Sequence, residues 1–451
     1  MCERTFTPPG SGVHPFRVFA RAGGSLVQLM APGTEGTDMG TTHDSTESLG
    51  SGAGPEDGSE PRPPSARRLR IAINLLTEDP GSPSGAHWFW TRVIPEIASR
   101  LGPEEELHLL VSPKSKPLHQ GYGPRVRYIT FPWSNEQRNL RTLSEHLYAP
   151  LRLPLSGIDV FNTLMAPLVN PTWSLVVHMK TMHAFTTPEA LPLSARLYRQ
   201  LNYPRSARLA EAIVINSETL RSDIERYLEV DPAKLRLVPE AVDHELFRPG
   251  DAGAARAHVA ERYGVTKPFV LFVSTLWPYK NCAGLLRAWA LASKDLPGHQ
   301  LAIVGGGRDD KHIAELHALA GELGVLGSTV FVGPVPLDET VPFYRAADTL
   351  VYPSLSETFG LPILEAMACG CPVVTSNVSA MPETAGGAAL LCDPNDPAAV
   401  ARSITEAVGA RRDGLRGSGL RRAAQFTWAS TAAMTLDVYR EVGEKRRARA
   451  K

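Results

Sequence analysis

Two glutamates in one short segment are the residues of this chain best suited to hold a polar ligand. Glu357 and Glu365 lie in residues 354–370, SLSETFGLPILEAMACG, between predicted strands. Pro362 suits the first turn of a helix, and Gly370 suits the position just after its end. Glu357 is therefore predicted in the loop before the helix and Glu365 about one turn inside it, where the two carboxylates can address different parts of one extended ligand.

The loop before this helix also offers donors. The amide N–H groups of Phe359, Gly360 and Leu361 have no intrahelical partner at a helix start. Together with Glu357 they can bind the hydroxyls of a sugar, which need both donors and acceptors. Glu365 suits the vicinal diol of a ribose. A hydrolase acid and base is the alternative for the two carboxylates, and the strand, loop and helix frame fits it less well.

Two further strand ends favour an anion. Lys280 follows the predicted strand 268–273 and precedes Asn281, a predicted N-cap. A lysine beside the positive end of a helix is stabilised when both share an anion, and a diphosphate suits such a place. Gly305 and Gly306 belong to a run of three glycines after the predicted strand 300–304, where the backbone can approach a ligand closely.

The elements that must position these residues alternate between strands and helices. Apolar runs predict strands at 69–76, 107–111, 126–130, 160–162, 175–178, 212–216 and 235–238, and a second series at 268–273, 300–304, 330–332, 349–352 and 372–375. This alternation predicts an α/β protein with two doubly wound parallel sheets in tandem. Such sheets bind ligands at the carboxyl ends of their strands, so we expect the site in the cleft between them.

Composition excludes several other classes. The chain has 451 residues, with 47 Lys plus Arg against 47 Asp plus Glu, and this balance argues against nucleic acid as a partner. No apolar run is long enough to cross a bilayer and no signal-peptide core is recognised, so the expected location is the cytoplasm. The five cysteines show no disulfide or zinc spacing. Residues 1–67, rich in Gly, Ser, Thr, Pro and acidic residues, are predicted to be disordered.

The sequence resembles the retaining GT-B glycosyltransferases, specifically the large family numbered four, with its E-x7-E signature. Glu357 and Glu365 match that signature within SETFGLPILEAMACGCPVVTS. The resemblance is supported by the segments STLWPYKN (274–281), IVGGG (303–307), FVGPV (331–335), MPETAGGAALLCDPND (381–396), INSETLRSDI (215–224) and LVPEAVDHELFRP (237–249). It covers residues 69 to 445 and implies two facing Rossmann-like domains with an interdomain cleft.

The resemblance also implies a domain division. The first 67 residues form the disordered head, and residues 68–248 form the N-terminal, acceptor-side domain. Residues 249–425 form the C-terminal domain that binds the nucleotide sugar. Residues 426–445 form a helix that returns to the first domain, and residues 446–451 are a basic tail.

Site roles follow from the resemblance, residue by residue. Lys280 would bind the donor diphosphate. Glu357 and the amides of Phe359 to Leu361 would bind the donor sugar, and Glu365 would bind the ribose. Gly85, within Ser84-Gly85-Ala86, resembles the glycine loop that closes over the diphosphate. The remaining donor contacts would come from Thr275, Gly305, Gly306 and Val335, with Gly333 to Val335 passing near the base.

Two positions depart from the family pattern. Many members have an arginine four or five residues before the lysine, where this chain has Thr275 and Leu276, so that Lys280 would carry more of the phosphate charge. Members often show His-Asp after the fourth N-domain strand, whereas this chain has His183 followed by Ala184. His183 is the expected cleft histidine and the third catalytic residue, with His178 as the second choice.

The resemblance implies a metal-independent hexosyltransferase without a cofactor. It would move a sugar from a nucleoside diphosphate sugar, a GDP- or UDP-sugar with mannosyl as one candidate, to an acceptor hydroxyl in glycan, glycolipid or natural-product biosynthesis. The alternatives are a GT-B phosphorylase, an epimerase, a disaccharide synthase, or a non-catalytic protein that binds sugar nucleotides. The partners would be the donor and the acceptor, and the basic tail would allow peripheral contact with the inner face of the membrane. The oligomeric state is left open.

Overall fold

The computed structural model describes residues 68–78, 85–133, 137, 140, 145, 157–164, 173–307 and 309–449. All of these residues belong to one structural unit, Pro64–Lys451. Three predictions lie outside the described residues: the disordered head 1–67, Ser84 of the glycine loop, and the last two residues of the basic tail.

The first half of the described chain forms a seven-stranded sheet in which all neighbouring strands are parallel. Its strands are β1 (Leu69–Asn74), β2 (Glu105–Val111), β3 (Val126–Thr130), β4 (Val160–Leu164), β5 (Ser174–His178), β6 (Ala212–Ile215) and β7 (Leu235–Leu237). The order across the sheet is β3-β2-β1-β4-β5-β6-β7. The central strands are buried on both faces, because helices cover each side, and their sequences are therefore nearly continuous apolar runs.

The second half repeats the plan with a six-stranded parallel sheet. Its strands are β8 (Phe269–Val273), β9 (Gln300–Val304), β10 (Thr329–Gly333), β11 (Thr349–Tyr352), β12 (Val373–Ser376) and β13 (Leu390–Cys392). The order across the sheet is β10-β9-β8-β11-β12-β13. The predicted tandem of doubly wound α/β sheets is confirmed.

In each sheet the chain reverses its direction of travel beside the first strand. β1 pairs with β2 on one side and with β4 on the other, and β8 likewise lies between β9 and β11. Loops that leave the carboxyl ends of such a strand pair diverge to opposite faces of the sheet, which opens a crevice between them. The loops after β8 and β11 are those that carry Lys280 and Glu357.

Helices cover the sheets on both faces. They are α1 (Gly85–Ser99), α2 (His183–Thr186), α3 (Leu193–Leu209), α4 (Glu218–Tyr227), α5 (Ala252–Tyr263), α6 (Cys282–Ala292), α7 (Asp310–Glu322), α8 (Thr340–Ala346), α9 (Leu361–Ala368), α10 (Met381–Ala385), α11 (Pro397–Val408), α12 (Arg412–Ala423) and α13 (Trp428–Arg449). Each sheet has an apolar cluster on either face, where these helices pack.

The last helix, α13, packs on the first sheet although it follows the second in sequence. Leu436, Tyr439 and Val442 are buried in the same cluster as strands β1 and β2. Gly443 allows this close approach, because a Cβ atom there would lie 2.4 Å from Leu69 Cδ1. The helix continues to Arg449, so residues 446–449 of the predicted basic tail are helical. The predicted domain boundaries stay predictions.

No helix among the described residues combines the length and the apolar character that a bilayer span requires.

Candidate functional site

A cavity of about 790 Å³ opens at the carboxyl ends of β8, β9 and β11. Nine of the predicted donor-binding residues line it. They are Thr275, Lys280, Gly305, Gly306, Val335, Glu357, Phe359, Gly360 and Leu361. Asn216 and Glu240 lie on its wall from the first domain, so the cavity belongs to the cleft between the two sheets.

Lys280 is held by the turn that leads into α6. Residues Pro278–Lys280 form one turn of 3-10 helix, and Asn281 follows in the left-handed region with φ of 61°. The Asn281 side chain accepts a hydrogen bond from Gly284 N, as the predicted N-cap should, and donates to the carbonyl oxygens of Pro353 and Pro394. Lys280 is therefore attached through its neighbour to the ends of β11 and β13.

The Lys280 ammonium and the Glu357 carboxylate are ion-paired across the cavity floor. Lys280 Nζ donates to Glu357 Oε1 and, at 2.9 Å, to Tyr352 Oη. Tyr352 Oη in turn donates to the same Glu357 oxygen at 2.5 Å. The side chains of Lys280 and Glu357 are each only 12% exposed, so neither charge is well hydrated and each depends on the other.

Tyr352 stays protonated in this arrangement and acts as a donor. It is the last residue of β11 and is fully buried. Burial raises the pKa of Tyr352 well above its usual value, and the adjacent Glu357 carboxylate raises it further. A neutral phenol can share the carboxylate with the lysine without adding charge.

The loop of Glu357 is fixed by its backbone. Glu357 N donates to Ser379 Oγ at 3.0 Å, and Ser379 Oγ donates back to Glu357 O at 2.6 Å. Gly360, with φ of 89°, adopts a conformation that favours glycine and precedes α9. No described residue accepts a hydrogen bond from the amides of Phe359, Gly360 or Leu361. Their role in binding a ligand stays a prediction.

The loops after β8 and β9 are joined to each other. Ser274 N donates to Val304 O and Leu276 N donates to Gly306 O, both at 3.0 Å. A Cβ atom on Gly305 would lie only 1.9 Å from Ser274 O, and its φ is 127°, so glycine is required there. The close contact presents the bare backbone of Gly305 and Gly306 to the cavity.

Glu365 lies one turn inside α9 and does not line the cavity itself. Its Oε2 accepts a hydrogen bond of 2.7 Å from Tyr344 Oη. Burial raises the pKa of Glu365 to about 7, and the hydrogen bond from Tyr344 opposes part of that rise. Near neutral pH this carboxyl is therefore easily switched between its two protonation states by a ligand that donates to it.

The two candidate histidines occupy different places. The His183 ring packs against Tyr279, with centroids 5.1 Å apart, and its pKa is lowered, chiefly by burial. The charges of Glu357 and Lys280 both act on it, which places it beside the ion pair. His178 is fully buried in the first domain, packed between Phe89, Trp90 and Tyr439. His183 is the histidine of the two that lies near the cleft residues.

Gly85 stands apart from these residues. It is the first residue of α1 and is exposed, and it does not line the cavity. The preceding loop, residues 79–84, lies outside the described part of the chain.

The first domain contributes a cluster that the sequence analysis missed. Lys180 Nζ donates to Glu240 Oε1 at 3.0 Å and lies 3.7 Å from the centroid of the Phe89 ring. Asn216 Nδ2 donates to the same carboxylate oxygen at 3.3 Å. Lys180, Asn216 and Glu240 follow β5, β6 and β7, so their common position at the carboxyl edge was the signal that could have found them.

Two side chains of the second domain, Thr358 and Glu383, form hydrogen bonds with the first domain beside the cleft. Thr358 Oγ1 donates to Lys180 O at 2.9 Å. Glu383, on α10, accepts from Glu218 N at 2.9 Å with each carboxylate oxygen, at the start of α4. A carboxylate suits the positive end of a helix, so Glu383 stabilises the contact between the two domains.

Among the described residues, no group of three or more His, Cys, Asp and Glu side chains lies close enough to hold a metal ion.

Comparisons with known proteins identify relatives of this chain. The profile of the family described as glycosyl transferases group 1 matches residues 256–413. A D-inositol 3-phosphate glycosyltransferase of Acidothermus cellulolyticus is 36% identical over 251 residues, which cover 53% of this chain and 55% of that protein. An O-antigen chain mannosyltransferase B of Escherichia coli is 33% identical over 262 residues, 57% of this chain and 67% of that protein. The chain spans about half the length of most of the curated relatives it matches.

Solved structures match the whole described fold. Sucrose-phosphate synthase from Thermosynechococcus elongatus superposes with a TM-score of 0.65 at 21% identity, over 83% of this chain and 99% of that one. Anabaena HepE, in complex with UDP and glucose, gives a TM-score of 0.63 at 18% identity, over 83% of this chain and 100% of that one. The predicted GT-B fold class is confirmed.

A double-mutant cycle tests the ion pair at the cavity floor. Lys280→Met and Glu357→Gln should each destabilise the protein, because each leaves the other charge poorly hydrated and unpaired. The double variant should lose less than the sum of the two, with a coupling free energy of about 1–3 kcal/mol in urea unfolding.

The exposed pair Arg411 and Glu406, 3.2 Å apart, is the matched control. Arg411→Met and Glu406→Gln should couple by less than about 1 kcal/mol. Strict additivity of the Lys280 and Glu357 substitutions would show that the pair contributes nothing to stability.

Proposed function

The chain belongs to the group 1 glycosyl transferases, and on that premise we propose that it transfers a sugar from a nucleoside diphosphate sugar to an acceptor hydroxyl, with retention at the anomeric carbon. The observation that carries this proposal is the ion pair of Lys280 and Glu357 on the floor of the cleft. Lys280 is a cation suited to a diphosphate, and Glu357 beside it is a carboxylate suited to sugar hydroxyls. The amides of Phe359 to Leu361 lie next to them.

The donor is placed by the groups that complement it. Its diphosphate would bind the Lys280 ammonium, and the bare backbone of Gly305 and Gly306 lies close by. Glu357 and the amides of Phe359 to Leu361 would bind its sugar. Glu365 would bind its ribose, and its base would lie near Val335. Gly85 and its loop would close over the diphosphate from the first domain. One relative is an O-antigen chain mannosyltransferase, and the structurally similar HepE was solved with UDP and glucose, so we propose GDP- and UDP-sugars as donors.

Donor binding replaces the ion pair of Lys280 and Glu357 by two interactions, one of Lys280 with the diphosphate and one of Glu357 with the sugar. Without donor, Glu357 neutralises Lys280. With donor, the diphosphate supplies the negative charge for Lys280 and releases Glu357 to accept hydrogen bonds from the sugar. The free cleft is neutral, whereas in the donor-bound state the diphosphate and Glu357 together carry more negative charge than Lys280 neutralises.

The transfer step places negative charge where the lysine lies. The bond between the anomeric carbon and the diphosphate oxygen breaks as the acceptor oxygen forms the new bond to that carbon. The acceptor proton passes to the departing phosphate oxygen on the same face of the sugar. Lys280 stabilises the developing anion, while Glu357 and the amides of Phe359 to Leu361 orient the sugar. His183, whose pKa is lowered, would be a neutral group beside the sugar and acceptor.

We propose that the reaction needs neither a metal ion nor a cofactor. Lys280 supplies the positive charge that a divalent ion would otherwise provide. We further propose that any contact of the basic tail with a membrane is peripheral. Its Arg446 and Arg449 pair with Asp159 and Glu211 within the chain, so their charge is partly neutralised.

Replacement of either cleft charge should abolish transfer. Lys280→Ala and Glu357→Ala are each expected to lower kcat/KM by orders of magnitude, because each removes a group that contacts the transition state. The measurement is acceptor-dependent release of nucleoside diphosphate over a panel of UDP- and GDP-sugars.

Lys294→Ala and Glu322→Ala are matched controls, since both residues are exposed in the same domain. They should retain wild-type turnover. Near-wild-type turnover by Lys280→Ala or Glu357→Ala would contradict the site. Nucleotide binding without turnover on any acceptor would favour a non-catalytic protein.

Chelation should leave the activity intact. Transfer measured in EDTA is expected to equal transfer measured without it, because Lys280 holds the diphosphate. A loss of activity that magnesium or manganese restores would contradict metal independence.

The role of Glu365 predicts a pH-dependent affinity. Its pKa is raised to about 7 by burial, and ribose hydroxyls that donate to its carboxylate favour the ionised form. Binding therefore releases protons, and affinity for the nucleotide should rise as the pH increases from about 6 to about 8.

Glu365→Gln should lose this part of the pH dependence, while Glu322→Gln should keep it. Isothermal titration calorimetry in buffers with different heats of ionisation counts the released protons directly. Equal proton release by the wild type and Glu365→Gln would exclude Glu365 as a ribose ligand.

A further inference from the structure

One helix of the first domain carries an exposed row of leucines. Leu193, Leu197 and Leu201 on α3 are 67%, 49% and 75% exposed. Their spacing of four residues places them on one face of the helix. A contiguous exposed apolar row on a folded protein marks an interaction surface more often than a chance arrangement. We call these three residues the leucine row.

The leucine row plays no part in the core. The opposite side of α3 supplies the buried residues, Tyr203, Ser206 and Ala207, which pack on the first sheet. Gln200 Nε2 also donates to Ala184 O at 2.9 Å, which ties the helix to α2. The helix is therefore fixed in place by other residues, and its leucines are available for a partner.

The charge around the leucine row has one sign. Helix α3 contains four arginines, Arg196, Arg199, Arg205 and Arg208, and no aspartate or glutamate. No carboxylate in the described part of the chain lies within ion-pair distance of any of the four. Arg205 and Arg208 are exposed one and two turns beyond Leu201, on the side where the row continues.

More basic residues adjoin the end of this helix. Lys234 Nζ donates to the carbonyl oxygen of Arg208 at 2.9 Å. Glu211, just after α3, pairs with Arg449 at the end of α13. Lys234 therefore adds one cation at the end of α3, whereas the charge of Arg449 is neutralised by Glu211.

We propose that α3 docks this protein on the surface of an anionic lipid bilayer. The leucine row enters the boundary between headgroups and acyl chains, and the arginines contact lipid phosphates. Apolar residues on one face with cations beside them and no acidic residue is the pattern that suits a negatively charged membrane surface. The docking does not require the proposed transfer activity, and its test does not measure turnover.

A second copy of the chain fits this surface less well. A symmetric contact through the leucine row would bring the arginines of one α3 against those of the other, without acidic residues to neutralise them. The acidic residues within 1–67 could instead cover α3 in the same chain. Both occupants predict that the protein does not bind vesicles through α3.

The test is flotation of the full chain with vesicles. One set contains phosphatidylcholine alone, and the other contains phosphatidylcholine and phosphatidylglycerol in equal amounts. The wild type should bind the anionic vesicles at least roughly tenfold more tightly than the neutral ones, and less tightly at high salt.

Two sets of variants assign the binding to α3. Replacing Leu193, Leu197 and Leu201 together by Gln should weaken binding by roughly tenfold or more, and so should Arg205→Glu with Arg208→Glu. The matched controls are three exposed leucines and two exposed arginines of the second domain, each replaced in the same way. They are Leu291, Leu326 and Leu391 to Gln, and Arg402 and Arg411 to Glu.

Circular dichroism and thermal unfolding establish that the variants are folded. The proposal is overturned if the wild type binds neither vesicle set, or if the folded leucine variant binds anionic vesicles as the wild type does. It is also overturned if light scattering shows a wild-type dimer that the leucine variant dissociates while lipid binding is unchanged.

Discussion

The pairing of one lysine with one glutamate, both nearly removed from water, is the constraint on which the site depends. Lys280 and Glu357 are 77 residues apart in sequence and meet because β8 and β11 are neighbours in the second sheet. The loops after these strands diverge at the point where the strand order reverses. A cation and an anion placed there face the same crevice, and each limits the positions that the other can adopt.

The rest of the second domain supports that pair. Asn281 fixes the turn of Lys280 to the ends of two strands, and Ser379 fixes the backbone of Glu357. Gly305 permits the close contact that joins the loops after β8 and β9. Thr358 and Glu383 of the second domain bind Lys180 and Glu218 of the first domain beside the cleft, and α13 returns to the first sheet. A second cavity of about 280 Å³ lies at this junction, between Glu240 and Arg422.

Local patterns in the sequence predicted much of this structure. The buried strands were recognisable from their apolar runs, and Asn281, Gly360 and Pro362 predicted the starts of α6 and α9 from the conformations they favour. The short edge strand β13 was missed, because three residues carry too little periodicity. Tyr352 reads in the sequence as an ordinary strand residue, and only the fold shows its hydroxyl between Lys280 and Glu357. Glu383 and its partner Glu218 in α4 are 165 residues apart in the sequence, so no local pattern predicts their contact.

The central claim is that a donor diphosphate takes the place of Glu357 beside Lys280. A crystal structure with an unreactive nucleoside diphosphate sugar tests this directly. We predict that Lys280 Nζ lies within hydrogen-bond distance of a diphosphate oxygen and that the Glu357 carboxylate accepts a hydrogen bond from a hydroxyl of the sugar. A donor bound elsewhere, with the pair of Lys280 and Glu357 unbroken, would contradict the account.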